Sequence, residues 1–257
     1  MFNSSIRGSH PVMRAILSAA DRIATTDACV LISGEKGTGK ELLARHIHAA
    51  SPRRNRPFVR IDCQDSTIGG AGSEMSSELA RELAGGTAAA WFERARGGTL
   101  FLDQIGALHL PLTAGPRARS LVDAAAAADV RLLAARAPVE ALPAVLAADD
   151  VTFFEIPVPA LRQRRSDIPL LVEHFLHVYA TRHAVGLRRI ETEAMVQLWQ
   201  YDWPGNVREL ESVVERIVVL NRSGIIRVPD LPRHIGVTGS QSRTHASSVY
   251  LTSTALH

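Results

Sequence analysis

A glycine-rich loop that ends in lysine, Gly34–Lys40, is the feature that most constrains this chain. It follows the apolar run Cys29–Ser33, which is typical of a short buried strand, and it precedes a segment with helical periodicity. Glycines at this spacing free backbone N–H groups to curl around an anion, and the positive end of the following helix adds to the attraction. Lys40 supplies a point charge for the outer phosphates of a nucleotide. We therefore predict a phosphate loop that binds a nucleotide, with an empty structural turn as the alternative.

The predicted nucleotide contacts include every residue of the loop and the residue after it. They are Gly34, Glu35, Lys36, Gly37, Thr38, Gly39, Lys40 and Glu41. The last position departs from the general motif, which continues with a Ser or Thr whose hydroxyl holds Mg²⁺.

The bulk composition narrows the class of protein. The chain has 257 residues, of which 46% are hydrophobic, and this is enough for one sizeable α/β domain, either alone or with a small satellite domain. A net charge of +3 does not by itself argue for nucleic acid. The sequence contains neither an apolar run long enough to cross a membrane nor the apolar core of a signal peptide. We therefore expect a cytoplasmic location and no membrane partner. We predict that Cys29 and Cys63 are buried free thiols, and the histidines show no metal-binding spacing.

Short apolar segments alternate with helical ones as far as residue 160, which is typical of a parallel sheet with helices on both faces. The predicted strands are 29–33, 58–62, 99–103, 130–134 and 151–156, and the predicted helices are 11–23, 39–50, 77–83, 88–96 and 117–127. The first helix carries an apolar face made of Val12, Ala15, Ile16, Ala19, Ala20 and Ile23.

After Pro159 the pattern changes to helices only. These are predicted at 166–183, 192–201 and 206–220. We therefore predict an α/β nucleotide-binding subdomain over 5–160 and an all-α lid subdomain over 161–235. The stretch 236–257 is rich in Ser and Thr, and we interpret it as a disordered tail.

A carboxylate ends the third predicted strand. Asp103 lies where the carboxyl ends of parallel strands gather ligands, as a Walker B aspartate would, and it is our candidate for holding Mg²⁺ with the nucleotide. Hydrolysis also needs a base that activates a water molecule. The position that should carry a catalytic glutamate is Gln104, whose amide can bind water but cannot accept a proton at neutral pH.

Four stretches together resemble the central AAA+ domain of the sigma-54-dependent transcription activators, the bacterial enhancer-binding proteins. They are Gly34–Glu41, Gly97–Asp103, Leu161–Pro169 and Trp203–Leu210, and the resemblance covers roughly residues 5–235. It implies a P-loop AAA+ domain, built as a three-layer parallel sheet and followed by a helical lid. It also implies ATP or ADP with Mg²⁺ as the cofactor and a homo-oligomeric ring as one form of assembly. Glu commonly follows the loop lysine in this family.

The resemblance also assigns a role to Arg208, which would be the sensor II arginine that contacts the nucleotide phosphates. A surface arginine on a helix is the alternative interpretation.

Four elements of hydrolysis and output depart from the family pattern together. The first is the amide in place of the catalytic base. The second is the lack of any arginine between Arg136 and Arg162, where the family places its arginine fingers. The polar sensor beyond the fourth strand is replaced by Ala135–Pro138. Between Ser77–Leu79 and Phe92–Glu93 the chain is several residues too short for the Gly-Ala-Phe-Thr-Gly-Ala loop that contacts sigma-54 polymerase.

The binding residues remain while these four elements are altered. We therefore predict a regulatory module that binds ATP or ADP, hydrolyses it poorly and acts on transcription through a protein partner, such as a related activator or a sensory protein. Two alternatives stay open: an active ATPase that remodels another target, and an interaction protein with a relic phosphate loop. A sensory domain and a helix-turn-helix are not recognisable, so we do not expect DNA binding in cis.

Overall fold

The computed structural model describes residues 6, 8–63, 90–107, 121–138, 140, 153–186, 189–221 and 223–236. Its α-helices are α1 Pro11–Ala24, α2 Lys40–Ala49, α3 Ala90–Ala95, α4 Leu121–Ala127, α5 Ile168–Arg182, α6 Thr192–Gln200, α7 Asn206–Leu220 and α8 Arg233–Gly236. Its strands are β1 Val30–Ser33, β2 Phe58–Asp62, β3 Thr99–Asp103, β4 Arg131–Arg136, β5 Phe154–Pro157, β6 Arg189–Ile190 and β7 Ile225–Ile226. The helix predicted at 77–83, the shortened loop beside it and almost all of the predicted tail lie outside the described residues.

The first five strands form one parallel sheet in the order β2-β3-β4-β1-β5, which confirms the predicted α/β class. All four residues of β1 are buried, as are the first four of β3, because a parallel sheet is covered on both faces. The observed bounds of β2 and β3 match the prediction. The register sets Asp62 beside Asp103 and Ser33 beside Arg136, so these polar residues share the carboxyl edge of the sheet.

Two hydrophobic clusters fill the space between the sheet and its helices, giving the predicted three layers. One cluster joins the sheet to α1 and α2 through residues such as Met13, Ile16 and Leu43. The other joins it to α3 and α4 through residues such as Trp91 and Ala125.

The buried face of α1 differs from the prediction. Met13, Ile16 and Ala20 are buried, whereas Val12 is 46% exposed and Ile23 is only partly buried. Of the apolar face predicted from the sequence, Ile16 and Ala20 are therefore buried, whereas Val12 and Ala15 are exposed. Apolar residues occur on more than one side of this helix, and its packing against α2 and β5 selects the side that carries Met13.

The lid, residues Leu161–Gly236, has a hydrophobic core of its own that is centred on the fully buried Trp203. The indole Nε1–H donates to the carbonyl of Leu198 at 2.8 Å, so the polar atom of this large side chain is satisfied. The helices α5 and α7 pack side by side over this core. The lid also contains the parallel pair β6 and β7, which was not predicted because two residues are too few to show alternation.

The two cysteines are free, as predicted, and both are partly buried. Burial raises the pKa of the Cys63 thiol to about 12, so this group stays protonated at neutral pH. In the part of the chain that the structure describes, no helix combines the length and the apolar character needed to cross a lipid bilayer.

A buried arginine closes the carboxyl end of α1. The guanidinium of Arg131, on β4, donates to the carbonyl oxygens of Ile23 at 2.8 Å and Ala24 at 3.1 Å. Arg131 is only 2% exposed. The last carbonyls of a helix lack partners within the helix and carry its negative end, so a buried cation is a favourable partner for them.

We expect Arg131→Met to lower the free energy of unfolding by about 1–3 kcal/mol, because charge-assisted hydrogen bonds to buried carbonyls are lost. Urea denaturation followed by circular dichroism measures the change. Arg96→Met removes an exposed arginine and serves as the control, with an expected change within about 0.5 kcal/mol. Equal stability of the Arg131 variant and the wild type would contradict this role.

Candidate nucleotide-binding site

The phosphate loop, Gly34–Lys40, leaves β1 at the carboxyl edge of the sheet and runs directly into α2. Gly37 and Gly39 both have positive φ, at 81° and 100°, a region that other residues adopt only with strain. A β-carbon on Gly37 would lie 2.2 Å from the carbonyl oxygen of Gly205, so only glycine lets the lid approach this closely. Gly39 caps α2 without a side chain, which leaves the first helical N–H groups available to an anion.

Lys40 lies across the loop. Its Nζ donates to the carbonyl oxygens of Gly34 at 2.6 Å and Glu35 at 3.0 Å. Burial lowers the pKa of Lys40, while the carboxylates of Asp103 and Glu140 oppose that shift. The loop is further stiffened by the buried Thr38, whose hydroxyl donates to the carbonyl of Glu35 at 2.8 Å.

The lid contacts the loop through the turn before α7. The fully buried Asn206 donates from Nδ2 to the Glu35 carboxylate at 3.1 Å and to the Lys36 carbonyl at 3.0 Å. Its Oδ1 accepts from the backbone N–H of Leu161 at 2.8 Å. The N–H of Arg208 donates to the Gly37 carbonyl at 3.3 Å, so this predicted sensor arginine lies beside the loop.

Two further arginines hold the loop from the start of the lid. The guanidinium of Arg162 makes two hydrogen bonds to the Glu35 carboxylate, one of them at 2.8 Å. The buried Arg164 donates to the carbonyl of Thr38 at 2.9 Å. Hydrogen bonds from Arg162 and then Asn206 lower the pKa of Glu35 from 4.5 to about 2. These three lid residues were not predicted as loop contacts, although they lie in the sequence blocks that carried the resemblance.

An apolar cleft adjoins the loop between α2, the end of β5 and the lid. Its volume is about 100 Å³, and its lining includes Thr38, Gly39, Leu42, Val158, Phe175 and Val207. A mostly apolar cleft beside a phosphate-binding loop is chemically suited to the flat ring of a nucleotide base.

Arg60 is the largest departure from the predicted site. From β2, its Nη2 lies 2.8 Å from Asp103 Oδ2 and 3.0 Å from Asp62 Oδ2. Its Nε lies 3.2 Å from a carboxylate oxygen of Glu41. Burial opposes the charge of Arg60, but Asp103, Glu41 and Asp62 together outweigh it and raise the pKa of the guanidinium. The predicted Walker B aspartate therefore already has a cation of the chain against it.

Gln104 belongs to the same network. It has φ of 58°, in the left-handed region, and its Nε2 donates to Asp62 Oδ1 at 3.0 Å. The amide thus acts as a donor toward a carboxylate, which the glutamate expected at this position could do only if protonated.

Arg136 lies in the segment where the resemblance implies a polar sensor. Its side chain makes an ion pair and a hydrogen bond within the protein. Its guanidinium pairs with Glu155 on β5 at 3.1 Å and donates to the carbonyl oxygen of Glu140. Glu140 in turn accepts from the backbone N–H of Ala137 at 2.9 Å. Most of the segment in which the family carries arginine fingers lies outside the described residues.

Mg²⁺ does not fit these residues as they stand. The ion requires near-octahedral oxygen ligands at about 2.0–2.1 Å. The carboxylate of Asp103 is shared with the guanidinium of Arg60, which stays charged at any physiological pH, and the same guanidinium pairs with Glu41, the residue after the loop lysine. Glu41 is itself bonded to Arg45 at 2.8 Å. Among the described residues, no three His, Cys, Asp or Glu side chains are grouped to hold a metal ion.

Arg60 could have been noticed in the sequence from its position two residues before the end of a predicted strand that adjoins the Asp103 strand. Which strand lies beside β3, and in what register, is decided by the sheet, so the contact itself could not be derived.

A parallel sheet in this strand order, a phosphate loop after its first strand and a helical lid against that loop define a P-loop domain of the AAA+ class. The chain matches the family model of the Sigma-54 interaction domain over residues 6–115 and that of the AAA+ ATPase lid domain over 162–248. The α/β subdomain thus matches the sigma-54 interaction domain, and the lid matches the AAA+ ATPase lid domain.

Individual relatives agree with this assignment. The transcriptional regulatory protein ZraR of Salmonella typhimurium is 39% identical over 252 residues, which cover 90% of this chain and 56% of ZraR. The sigma54-dependent transcriptional regulator SfnR of Pseudomonas fluorescens is 37% identical over 238 residues, covering 86% of this chain and 65% of SfnR. The chain thus spans little more than half the length of ZraR.

A solved structure supports the fold. The crystal structure of NtrX from Brucella abortus in complex with ATP superimposes with a TM-score of 0.74 at 27% identity, and the match covers 94% of this chain and 58% of NtrX.

The ion pair between Glu35 and Arg162 should make the stability of the fold depend on pH. Because the pKa of Glu35 is about 2 in the folded protein and 4.5 otherwise, its ionised form stabilises the fold. This contribution is fully present above about pH 4.5 and is lost as the pH falls toward 2. We expect Glu35→Gln to destabilise by less than about 1 kcal/mol at pH 7, because the pair is partly exposed and screened.

Urea unfolding at pH 7, 5 and 3.5 measures this difference, which should shrink at the lowest pH. Glu93→Gln removes an exposed ion pair, to Arg96, that does not involve the loop, and it is the matched control. A difference between Glu35→Gln and the wild type that stayed constant with pH would argue against the ion pair.

Proposed function

We propose that this chain is a nucleotide-binding regulatory module that holds ATP or ADP at Gly34–Lys40 and hydrolyses it poorly. It would act on transcription through a protein partner, such as a related activator or a sensory protein. The observation that carries the proposal is an intact phosphate loop, held by the lid, beside a catalytic position whose amide is bonded to Asp62.

Nucleotide binding is supported by the conformation of the loop. The positive φ of Gly37 and Gly39, the uncapped start of α2 and the ammonium of Lys40 together offer an anion both backbone donors and a positive charge. NtrX, at 27% identity, was solved in complex with ATP and with ADP. The backbone contact of Arg208 to Gly37 supports the role of sensor II arginine for this residue.

Weak hydrolysis is supported by the chemistry of two positions. An amide at Gln104 cannot accept a proton from water, and Arg136 is engaged with Glu155. Between Arg136 and Arg162 the sequence carries no arginine, and an arginine finger is worth roughly 10³–10⁵ in rate in other nucleotide hydrolases. The proposal includes the nucleotide but not the Mg²⁺ that the resemblance implies, because Arg60 already neutralises Asp103.

Affinity for ATP and ADP, measured together with steady-state phosphate release on one preparation, tests the proposal. We expect binding with little release. Turnover comparable to that of an intact relative would establish the alternative of an active ATPase. Failure to bind either nucleotide at millimolar concentration would establish a relic loop.

Lys40→Ala should weaken ADP binding by about tenfold or more, because a charge-assisted contact to phosphate is worth about 1.5–3 kcal/mol. Isothermal titration calorimetry measures the affinity. Arg54→Ala, at an exposed position in the turn after α2, removes one positive charge elsewhere and should leave the affinity unchanged. Equal affinities of Lys40→Ala and the wild type would place the nucleotide outside this loop.

Gln104→Glu alone should not restore robust phosphate release. The new carboxylate would face Asp62 across the present 3.0 Å hydrogen bond, and the finger and sensor are still missing. Steady-state phosphate release with ATP measures the outcome. Strong recovery from this single change would show that the assignment of the missing finger is wrong.

A further inference from the structure

Two carboxylates meet at the carboxyl edge of the sheet. Asp62 and Asp103 end the paired strands β2 and β3 and are direct neighbours in the register. Two carboxylates at neighbouring positions repel each other unless a counter-charge lies between them. In this chain the counter-charge is a side chain, since one nitrogen of Arg60, Nη2, lies within 3.0 Å of both carboxylates.

A third carboxylate approaches the same guanidinium from the nucleotide-binding helix. Glu41, the second residue of α2, lies 3.2 Å from Arg60 Nε. This residue occupies the motif position at which a hydroxyl would hold a metal ion. Arg60 therefore joins the two positions that would otherwise supply Mg²⁺ ligands, the Walker B aspartate and the residue after the loop lysine.

We propose that the guanidinium of Arg60 takes the place of the divalent cation in this site, so that the chain binds its nucleotide without Mg²⁺. The guanidinium is held in place by three carboxylates, and Gln104 fixes the orientation of one of them, Asp62. A divalent cation at Asp103 would have to displace the 2.8 Å hydrogen bond from Arg60 to this carboxylate, whose side chain is only 14% exposed. The part of this inference that concerns nucleotide rests on the proposed function, whereas the exclusion of the metal does not.

A cation that replaces a metal ion and an arginine that only stabilises the sheet differ in their effect on metal binding. A purely structural arginine would affect stability and leave metal affinity unchanged. If the guanidinium of Arg60 replaces the metal ion, it controls whether a divalent ion can bind. Removing this side chain takes away the positive charge that Asp62 and Asp103 share.

The first experiment uses the full chain and Mn²⁺ alone, with free Mn²⁺ measured by electron paramagnetic resonance. We expect wild-type protein to bind Mn²⁺ no better than the Asp103→Asn variant. Arg60→Ala should raise Mn²⁺ affinity by about tenfold or more, the range over which outer contacts of metal sites act. Arg60→Lys, which keeps the charge, should behave as the wild type, and so should Arg96→Ala, which removes an exposed arginine elsewhere.

Two results of this experiment would overturn the proposal. One is Mn²⁺ binding by the wild type that Asp103→Asn removes. The other is an Arg60→Ala variant, folded by circular dichroism, with no gain in Mn²⁺ affinity. If Arg60→Ala fails to fold, the comparison of the wild type with Asp103→Asn and Arg60→Lys still decides, since metal binding that depends on Asp103 in the wild type contradicts it.

The second experiment measures ADP affinity by calorimetry in EDTA and in excess Mg²⁺. We expect the wild-type affinities to agree within about twofold, and Arg60→Ala to bind ADP about tenfold more tightly with Mg²⁺ than without it. A wild-type affinity that rises tenfold with Mg²⁺ would overturn the proposal. If ADP fails to bind under either condition, the proposed function fails, and the Mn²⁺ experiment alone decides the role of Arg60.

Discussion

The contact between the lid and the phosphate loop is the constraint on which the rest of the site depends. Asn206 is fully buried, has φ of 54° and links the Glu35 carboxylate, the Lys36 carbonyl and the N–H of Leu161. This linkage is sterically feasible because Gly37 has no side chain to separate the two backbones. Any change in the loop on binding a nucleotide must therefore break these contacts or move the lid with it.

Electrostatics at the sheet edge follow from a second constraint, which is that neighbouring strands both end in aspartate. The chain neutralises this pair with Arg60 and orients one member with the amide of Gln104. A glutamate at 104 would add another negative charge beside Asp62, whose charge Arg60 already shares with Asp103. The neutral amide of Gln104 avoids this repulsion and donates a hydrogen bond instead. Gln104 is therefore better understood as part of this network than as an isolated loss of a catalytic base.

Much of the architecture could be predicted from the sequence, because strands, loop and helices leave local patterns. The strands β2 and β3, the phosphate loop and α7 agree with the prediction. The predictions that disagree with the structure concern features that a local sequence pattern cannot determine. Which side of α1 is buried depends on its neighbours, so Val12, on the predicted apolar face, is exposed. The two-residue strands of the lid are too short to recognise.

The sequence by itself determined the class of site, because glycines with positive φ and a terminal lysine act within one short segment. Only the tertiary structure decided how that site is charged and held. Arg162 reaches Glu35 across 127 positions, and Arg60 reaches Asp103 across 43. Such contacts depend on strand order, register and lid docking, which are set by the packing of the whole core and have no local signature. The loop was therefore predictable, and the cation beside it was not.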